Sequence, residues 1–258
     1  MKTVLSIAGS DCSGGAGIQA DLKTFSTHKV YGMAVISSVT AQNTLGVSDV
    51  FNLPALIVEE QLESVFSDIF PDAVKIGMLG NTEIVKAVAR MLKKYQPSNV
   101  VADTVMISTS GKRLLEEEAV SVLENSVFPL ATLITPNIPE AEYISGCKIS
   151  SEDDMKSVAK RISGTYNTAV LLKGGHFSGN ADDVLCTVDG NITVFRSERI
   201  DNPNNHGTGC TLSSAIASNL AVGSGLEQAV SDAKQYLIRA LKSGLDLGHG
   251  NGPLNHFV

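Results

Sequence analysis

Along most of the chain, short apolar runs of strand length alternate with amphipathic runs of helix length. Strands are predicted at 4–8, 33–39, 73–76, 99–102, 132–135 and 169–172, where apolar residues cluster between polar or glycine-containing stretches. Helices are predicted at 17–27, 59–66, 83–95, 112–124, 139–144, 153–162, 211–220 and 226–247. Near-continuous apolar strands separated by helices indicate a parallel sheet covered on both faces, because such strands keep no face for solvent. After residue 172 the pattern changes. Runs at 183–188 and 192–196 flank Asp189-Gly190, a pair that favours a tight hairpin turn, so the sheet is expected to finish in antiparallel strands. No low-complexity linker, internal repeat or compositional shift interrupts the series, and residues 1–258 read as one α/β domain.

Composition supports a buried core and narrows the partners. Hydrophobic residues make up 43% of the 258 and charged residues 18%, as in a globular protein that buries a sizeable interior. The formal net charge of −7 disfavours nucleic acid or an anionic membrane as partner, so any bound phosphate has to be held by local groups. No apolar run is long enough to span a bilayer, and the opening MKTVLSIAGSD turns glycine-rich and acidic too early for a signal peptide. The expected location is the cytoplasm. Cys12, Cys147, Cys186 and Cys210 are widely spaced without a C-x-x-C pair, which predicts reduced thiols rather than disulfides or a zinc knuckle. The first three read as small buried or partly buried residues.

Candidate chemistry sits where predicted strands end. Residues 15–20, GAGIQA, formally match a dinucleotide fingerprint, but the first glycine lies well past the strand and no acidic residue follows at the required distance. A Rossmann dehydrogenase is therefore rejected. No G-x-x-x-x-G-K-[ST] occurs, so ATP, if used, is held without a P-loop. The alternative cradle is Asn205-His206-Gly207-Thr208-Gly209-Cys210-Thr211, two glycines followed by the small-residue helix LSSAIASNLA. There, unpaired amides and the positive helix end can face an anion. Asn137 and Glu140 follow the strand at 132–135, at the edge where parallel sheets bind ligands, although Asn137 serves equally as a plain helix cap. Asp103 and Lys173 follow strands on the same edge, where an acid can organise Mg²⁺ and a lysine can meet phosphate. His28 and His176 read as surface or loop residues, and His206 as a residue shaping the turn before the cradle.

In order, IAGSDCSGGAGIQADLKTF, VTAQNT, KIGMLG, DTVMISTSG, ITPNIPEAEYI, LLKGGH and NNHGTGCTLSSAIAS resemble the signature of the hydroxymethylpyrimidine/phosphomethylpyrimidine kinases. The resemblance runs from Val4 to Phe257. It implies the ribokinase-like three-layer α/β/α sandwich, a homodimer, and ATP-dependent phosphorylation of 4-amino-5-hydroxymethyl-2-methylpyrimidine and then of its monophosphate, in thiamine biosynthesis. It also implies site roles. Asn137 and Glu140 place Mg²⁺ and phosphates, Lys173 contacts nucleotide phosphate, Asp103 supports that network, and Gly207, Thr208, Gly209 and Cys210 form the anion hole. Ala16, Asp21, Gln42, Met78 and Val105 form the pyrimidine pocket. Chemistry supports Gln42 independently, since one amide can donate to a ring nitrogen and accept from the adjacent amine. The wider superfamily commonly ends its anion-hole motif with an aspartate base, a position held here by Cys210.

Two other functions compete. A pyridoxal kinase shares the superfamily, but its substrate lacks the adjacent amine and ring nitrogen that Gln42 would pair with. A cysteine hydrolase or an aldehyde-binding protein would use Cys210 as nucleophile or anchor. Against hydrolysis, His206 lies only four residues upstream and no orienting partner is evident.

Overall fold

In a computed structural model the chain is described over residues 1–106, 114–175 and 180–258. Its strands are β1 (Thr3–Asp11), β2 (Tyr31–Asn43), β3 (Gly46–Asn52), β4 (Ala73–Ile76), β5 (Val100–Ala102), β6 (Leu133–Ile134), β7 (Ala169–Leu172), β8 (Asp183–Cys186) and β9 (Ile192–Phe195). The helices are α1 (Gly17–Thr27), α2 (Ala55–Asp68), α3 (Thr82–Tyr95), α4 (Glu117–Ser126), α5 (Ile138–Ser145), α6 (Glu152–Tyr166), α7 (Thr208–Ala221) and α8 (Leu226–Lys242).

The strands form one sheet in the order β3-β2-β1-β4-β5-β6-β7-β8-β9. From β2 to β7 they run parallel, and β8 and β9 close that end as an antiparallel hairpin whose turn includes Gly190 at φ 84°. Successive residues alternate between two helical layers, as the period of a strand requires. Val4, Ala73, Val101, Leu133 and Ala169 pack with α1, α7 and α8. Their neighbours Leu5, Val74, Val100, Ile134 and Val170 pack with α2, α3, α4 and α6. This is the three-layer sandwich that the sequence predicts.

β1 pairs with β2 on one side and with β4 on the other, so the strand order reverses at β1. The crevice outside the carboxyl ends at such a reversal is where open α/β sheets bind ligands.

Several expectations need correction. β3 was not predicted; it pairs antiparallel with β2 and gives the sheet a second antiparallel edge. The strand expected at 33–39 extends over Tyr31–Asn43, which carries Gln42 out onto that hairpin. The helix expected at 211–220 starts at Thr208, placing Thr208, Gly209 and Cys210 in its first turn. The helix expected at 226–247 ends at Lys242 and that at 59–66 spans Ala55–Asp68. The helix expected at 112–124 is seen as Glu117–Ser126, with positions 112–113 outside the described residues. No helix among the described residues is long and apolar enough to cross a membrane.

Candidate active site

The carboxyl ends of the parallel strands open onto one cleft of about 1030 Å³, bordered by the first turn of α7 and by residues 199–203. Ala16, Gln42, Met78, Asp103, Val105, Asn137, Glu140, Lys173 and residues 207–210 all line it. Sequence segments spread over nearly two hundred residues are thereby brought into one cavity.

One side of the cleft is built around an ion pair. Lys173 Nζ lies 2.9 Å from Asp103 Oδ1, with side-chain exposures of 17% and 3%. Thr135 Oγ1 donates to the same oxygen at 2.9 Å and Ser213 Oγ to Oδ2 at 3.4 Å. Burial favours the neutral acid, but the ammonium groups of Lys173 and Lys75 outweigh it and hold Asp103 below its ordinary range. Burial likewise opposes the charge on Lys173, and Asp103 and Glu140 overcome it.

Glu140 is positioned by the start of α5. Asn137 caps that helix, its Oδ1 accepting from Glu140 N at 2.9 Å, while Glu140 Oε2 accepts from Asn137 N at 2.9 Å. This reciprocal box fixes the first turn. Thr104 Oγ1 donates to the same Oε2 at 2.8 Å. Burial pushes Glu140 upward, partly countered by Lys173. Asn137 is thus both a cap and a cleft residue; the two readings of the sequence coexist.

The first turn of α7 approaches this pair closely. A Cβ on Gly209 would stand 3.3 Å from Asp103 Oδ2 and 3.6 Å from Lys173 Nζ. Gly207, the N-cap, has φ 82°, and a Cβ there would meet Gly15 O at 2.0 Å. Only glycine fits that approach, and residues 207–210 at the helix start border the cleft. Cys210 follows in the same turn. Burial raises its thiol above the ordinary range despite the pull of Lys75, so the side chain is a neutral thiol at neutral pH.

Asp21 is a correction. It does not line the cleft; it is fully buried beneath it, with Lys75 Nζ 2.9 Å from both carboxylate oxygens. Ser6 Oγ donates to Asp21 at 2.5 Å and Ser214 Oγ at 2.7 Å. Burial opposes the charge on Lys75, yet the adjacent Asp21 raises its affinity for the proton. A charge in such a place is tolerable only when it is paired and hydrogen-bonded. Cys12, expected to be at least partly buried, is exposed, and all four cysteines are free. His28, expected as a surface or loop residue, lies in the turn that ends α1, half-buried, and packs edge-on against Tyr236 at 4.7 Å. His176 lies outside the described residues.

Sequence reasoning missed Lys75 and Asp11. A lysine inside the apolar run AVKI was the available signal, since a central parallel strand has no solvent face for it. Asp11 is 1% exposed and holds the glycine-rich loop, with His206 Nε2 3.0 Å from its Oδ2. Burial pulls its carboxyl upward, but hydrogen bonds from His206, Ser13 and Ala16 prevail and bring it to about 2.

The donor set also fits a magnesium ion. Among the described residues, the hydrogen bonds that Glu140 accepts end on Oε2, and the one that Asp103 Oδ2 accepts is the long contact from Ser213. Each carboxylate therefore keeps one oxygen lightly engaged beside the cleft, as suits a cation held by one or two carboxylates, water and phosphate oxygens. Among the described residues no group of three or more His, Cys, Asp or Glu is placed to enclose a metal alone.

The doubly covered, mostly parallel sheet gives the chain the fold of the ribokinase-like kinases. The sequence profile described as phosphomethylpyrimidine kinase matches residues 11–255, and the chain belongs to that family. It is 48% identical over 99% of its length to the thiamine biosynthesis bifunctional protein ThiED of Geobacter sulfurreducens, spanning about half (52%) of that longer relative. The crystal structure of phosphomethylpyrimidine kinase from Clostridium difficile is 49% identical, with a TM-score of 0.84 over 93% of this chain and 99% of that one. The Bacillus subtilis pyridoxal kinase in its ADP complex is 37% identical, with a TM-score of 0.90 over 99% and 97%.

Proposed function

We propose that the protein transfers the γ-phosphoryl group of ATP to 4-amino-5-hydroxymethyl-2-methylpyrimidine, and then to the monophosphate so formed, in thiamine biosynthesis. One observation carries the reading. A single cleft holds an amide suited to an aminopyrimidine edge, Gln42, together with a cation, Lys173, and a helix N-terminus at Thr208 suited to phosphate.

In this reading Ala16, Gln42, Met78 and Val105 seat the pyrimidine, and Asp21 supports that pocket from beneath through Lys75 and Ser214. Lys173 and Asn137 hold nucleotide phosphates, and Asp103 supports that network through its ion pair with Lys173. The alcohol oxygen forms a bond to the γ-phosphorus as the bond to the β–γ bridging oxygen breaks, and ADP leaves with that electron pair. Amides of Gly207, Thr208, Gly209 and Cys210 meet the charge on the transferred group. Glu140 and Asp103 would hold Mg²⁺, which supplies charge neutralisation on the phosphates. The hydroxyl proton departs late, to an oxygen of the transferred phosphoryl group or to water, because a loose transition state places little demand on a base. The reading carries with it a homodimer in the cytoplasm, testable by sedimentation and fractionation.

The test is a steady-state assay with ATP and Mg²⁺, offering hydroxymethylpyrimidine, its monophosphate and pyridoxal separately. Both pyrimidines are expected to give the higher kcat/KM. Pyridoxal kinase is the second reading, favoured by the likeness to the Bacillus subtilis enzyme; a higher kcat/KM on pyridoxal would put it first.

A further inference from the structure

Asp11 ends β1, and its carboxylate accepts five hydrogen bonds from two segments 195 residues apart at their contact. Oδ1 takes Ser13 N at 2.8 Å and Ser13 Oγ at 2.7 Å. Oδ2 takes Gly15 N at 3.0 Å, Ala16 N at 2.8 Å and His206 Nε2 at 3.0 Å. An ionised carboxylate only accepts, so Nε2 of His206 carries a hydrogen whether the ring is neutral or protonated. The ring is delivered from a fixed backbone, since His206 N donates to Gly252 O at 3.1 Å.

Each segment belongs to one reactant. Ala16 immediately precedes α1 on the alcohol side of the cleft, and His206 immediately precedes Gly207, the N-cap of α7 on the anion side. There is no slack between them. A Cβ on Gly15 would come within 2.4 Å of His206 Cδ2. Deeper down, α1 and α7 are joined independently by Ser214 and Asp21, so the contact at His206 is not needed to hold the two helices together.

We propose that Asp11, through His206, is a positioning residue that sets the alcohol-holding loop at its working distance from the anion-holding turn. The proposal rests on the kinase reading above. Phosphoryl transfer depends chiefly on alignment, and a misplacement of about 1 Å can slow a reaction roughly 100-fold. Each loop still binds its own ligand when the link is cut, so turnover falls while both Michaelis constants hold.

The obvious variant, Asp11→Asn, also disrupts the first loop, so the decisive comparison uses His206→Ala, His206→Gln and Ser13→Ala. His206→Ala is expected to lower kcat about 100-fold with the KM for ATP and for the alcohol within about threefold of wild type. The amide of His206→Gln can donate from nearly the same place and is expected to restore most of the loss. Ser13→Ala, which removes a bond inside the first loop only, is expected to keep near-normal turnover. Unchanged kcat in His206→Ala, a kcat loss matched by a rise in either KM, or no rescue by glutamine would overturn the proposal. Amide hydrogen exchange gives a readout independent of activity. His206→Ala is expected to speed exchange in both 12–18 and 207–212, and Ser13→Ala in 12–18 alone. If the wild type phosphorylates neither alcohol, the kinase reading fails by itself. Exchange confined to one segment in His206→Ala would still refute the link.

Discussion

Gln42 presents its amide near the end of β2, where Nε2 donates to Thr40 Oγ1 at 2.8 Å. Among the described residues, one N–H and the carbonyl oxygen then remain for a ligand, the pair an aminopyrimidine edge requires. Gln42→Met is therefore expected to lower kcat/KM for hydroxymethylpyrimidine by about 1–3 kcal/mol, with pyridoxal less affected. Equal losses on both substrates would remove the specificity role. Cys210 leads to a second expectation. Burial favours its protonated form, and a neutral thiol is a poor base, so Cys210→Ala is expected to slow both phosphorylations in parallel. Single-turnover rates decide; a selective loss of about 10²-fold or more on the alcohol would restore a general-base role. At this scale the sequence revealed the residues whose type and place advertise chemistry, such as Lys173 after a strand. It did not reveal Lys75 or the Asp11 link to His206, because both depend on partners far away in the chain.

Among the elements, the start of α5 joins stability to function. Losing an N-cap costs about 1 kcal/mol, and Asn137 caps α5 as Ser151 caps α6. Denaturant unfolding of Asn137→Ala and Ser151→Ala is expected to show similar losses of about 0.5–2 kcal/mol. Only Asn137→Ala is expected to lose activity as well, since Ser151 lies away from the cleft; an inactive Ser151→Ala would sink that distinction. The parallel strands were legible because burial on both faces leaves a continuous apolar run. β3 was not, for it is an edge strand with the mixed exposure of Val47 to Phe51 and no clean alternation. The overlong expectation for α8 ignored Gly244, whose φ of 69° just past Ser243 marks a left-handed stop.

For the whole molecule, His256 couples the C-terminal segment to acid stability. It is 2% exposed, its Nε2 lies 3.1 Å from Thr211 Oγ1, and its carbonyl accepts from Thr27 Oγ1 and Tyr236 OH at 2.8 Å each. Burial, with the nearby charge of Lys23, lowers its pKa from 6.5 to about 4. Between those values the unfolded chain binds the proton and the folded one does not. Stability is thus complete above about pH 6.5 and falls by up to about 3 kcal/mol as the pH drops toward 4. His256→Gln is expected to flatten that slope in chemical denaturation from pH 4 to 7, and an unchanged slope would reject the assignment. Asp11 adds a further loss only between its ordinary 3.8 and about 2. The sandwich as a whole was readable from periodicity; the contacts of this terminal segment were not, since they consist of single polar bonds rather than a repeating pattern.

The meeting of Gly207 with Gly15 has a consequence for how the family's sequences vary. The obstacle to any side chain at 207 is Gly15 O, a backbone atom that every residue at position 15 would also carry. No exchange at 15 can therefore compensate a larger residue at 207, and the two positions cannot trade volume over evolutionary time. Methods that infer contacts from correlated substitutions should be blind to this pair, although it is among the tightest approaches in the site. Position 15, limited by the ring of His206, is expected instead to covary with 206.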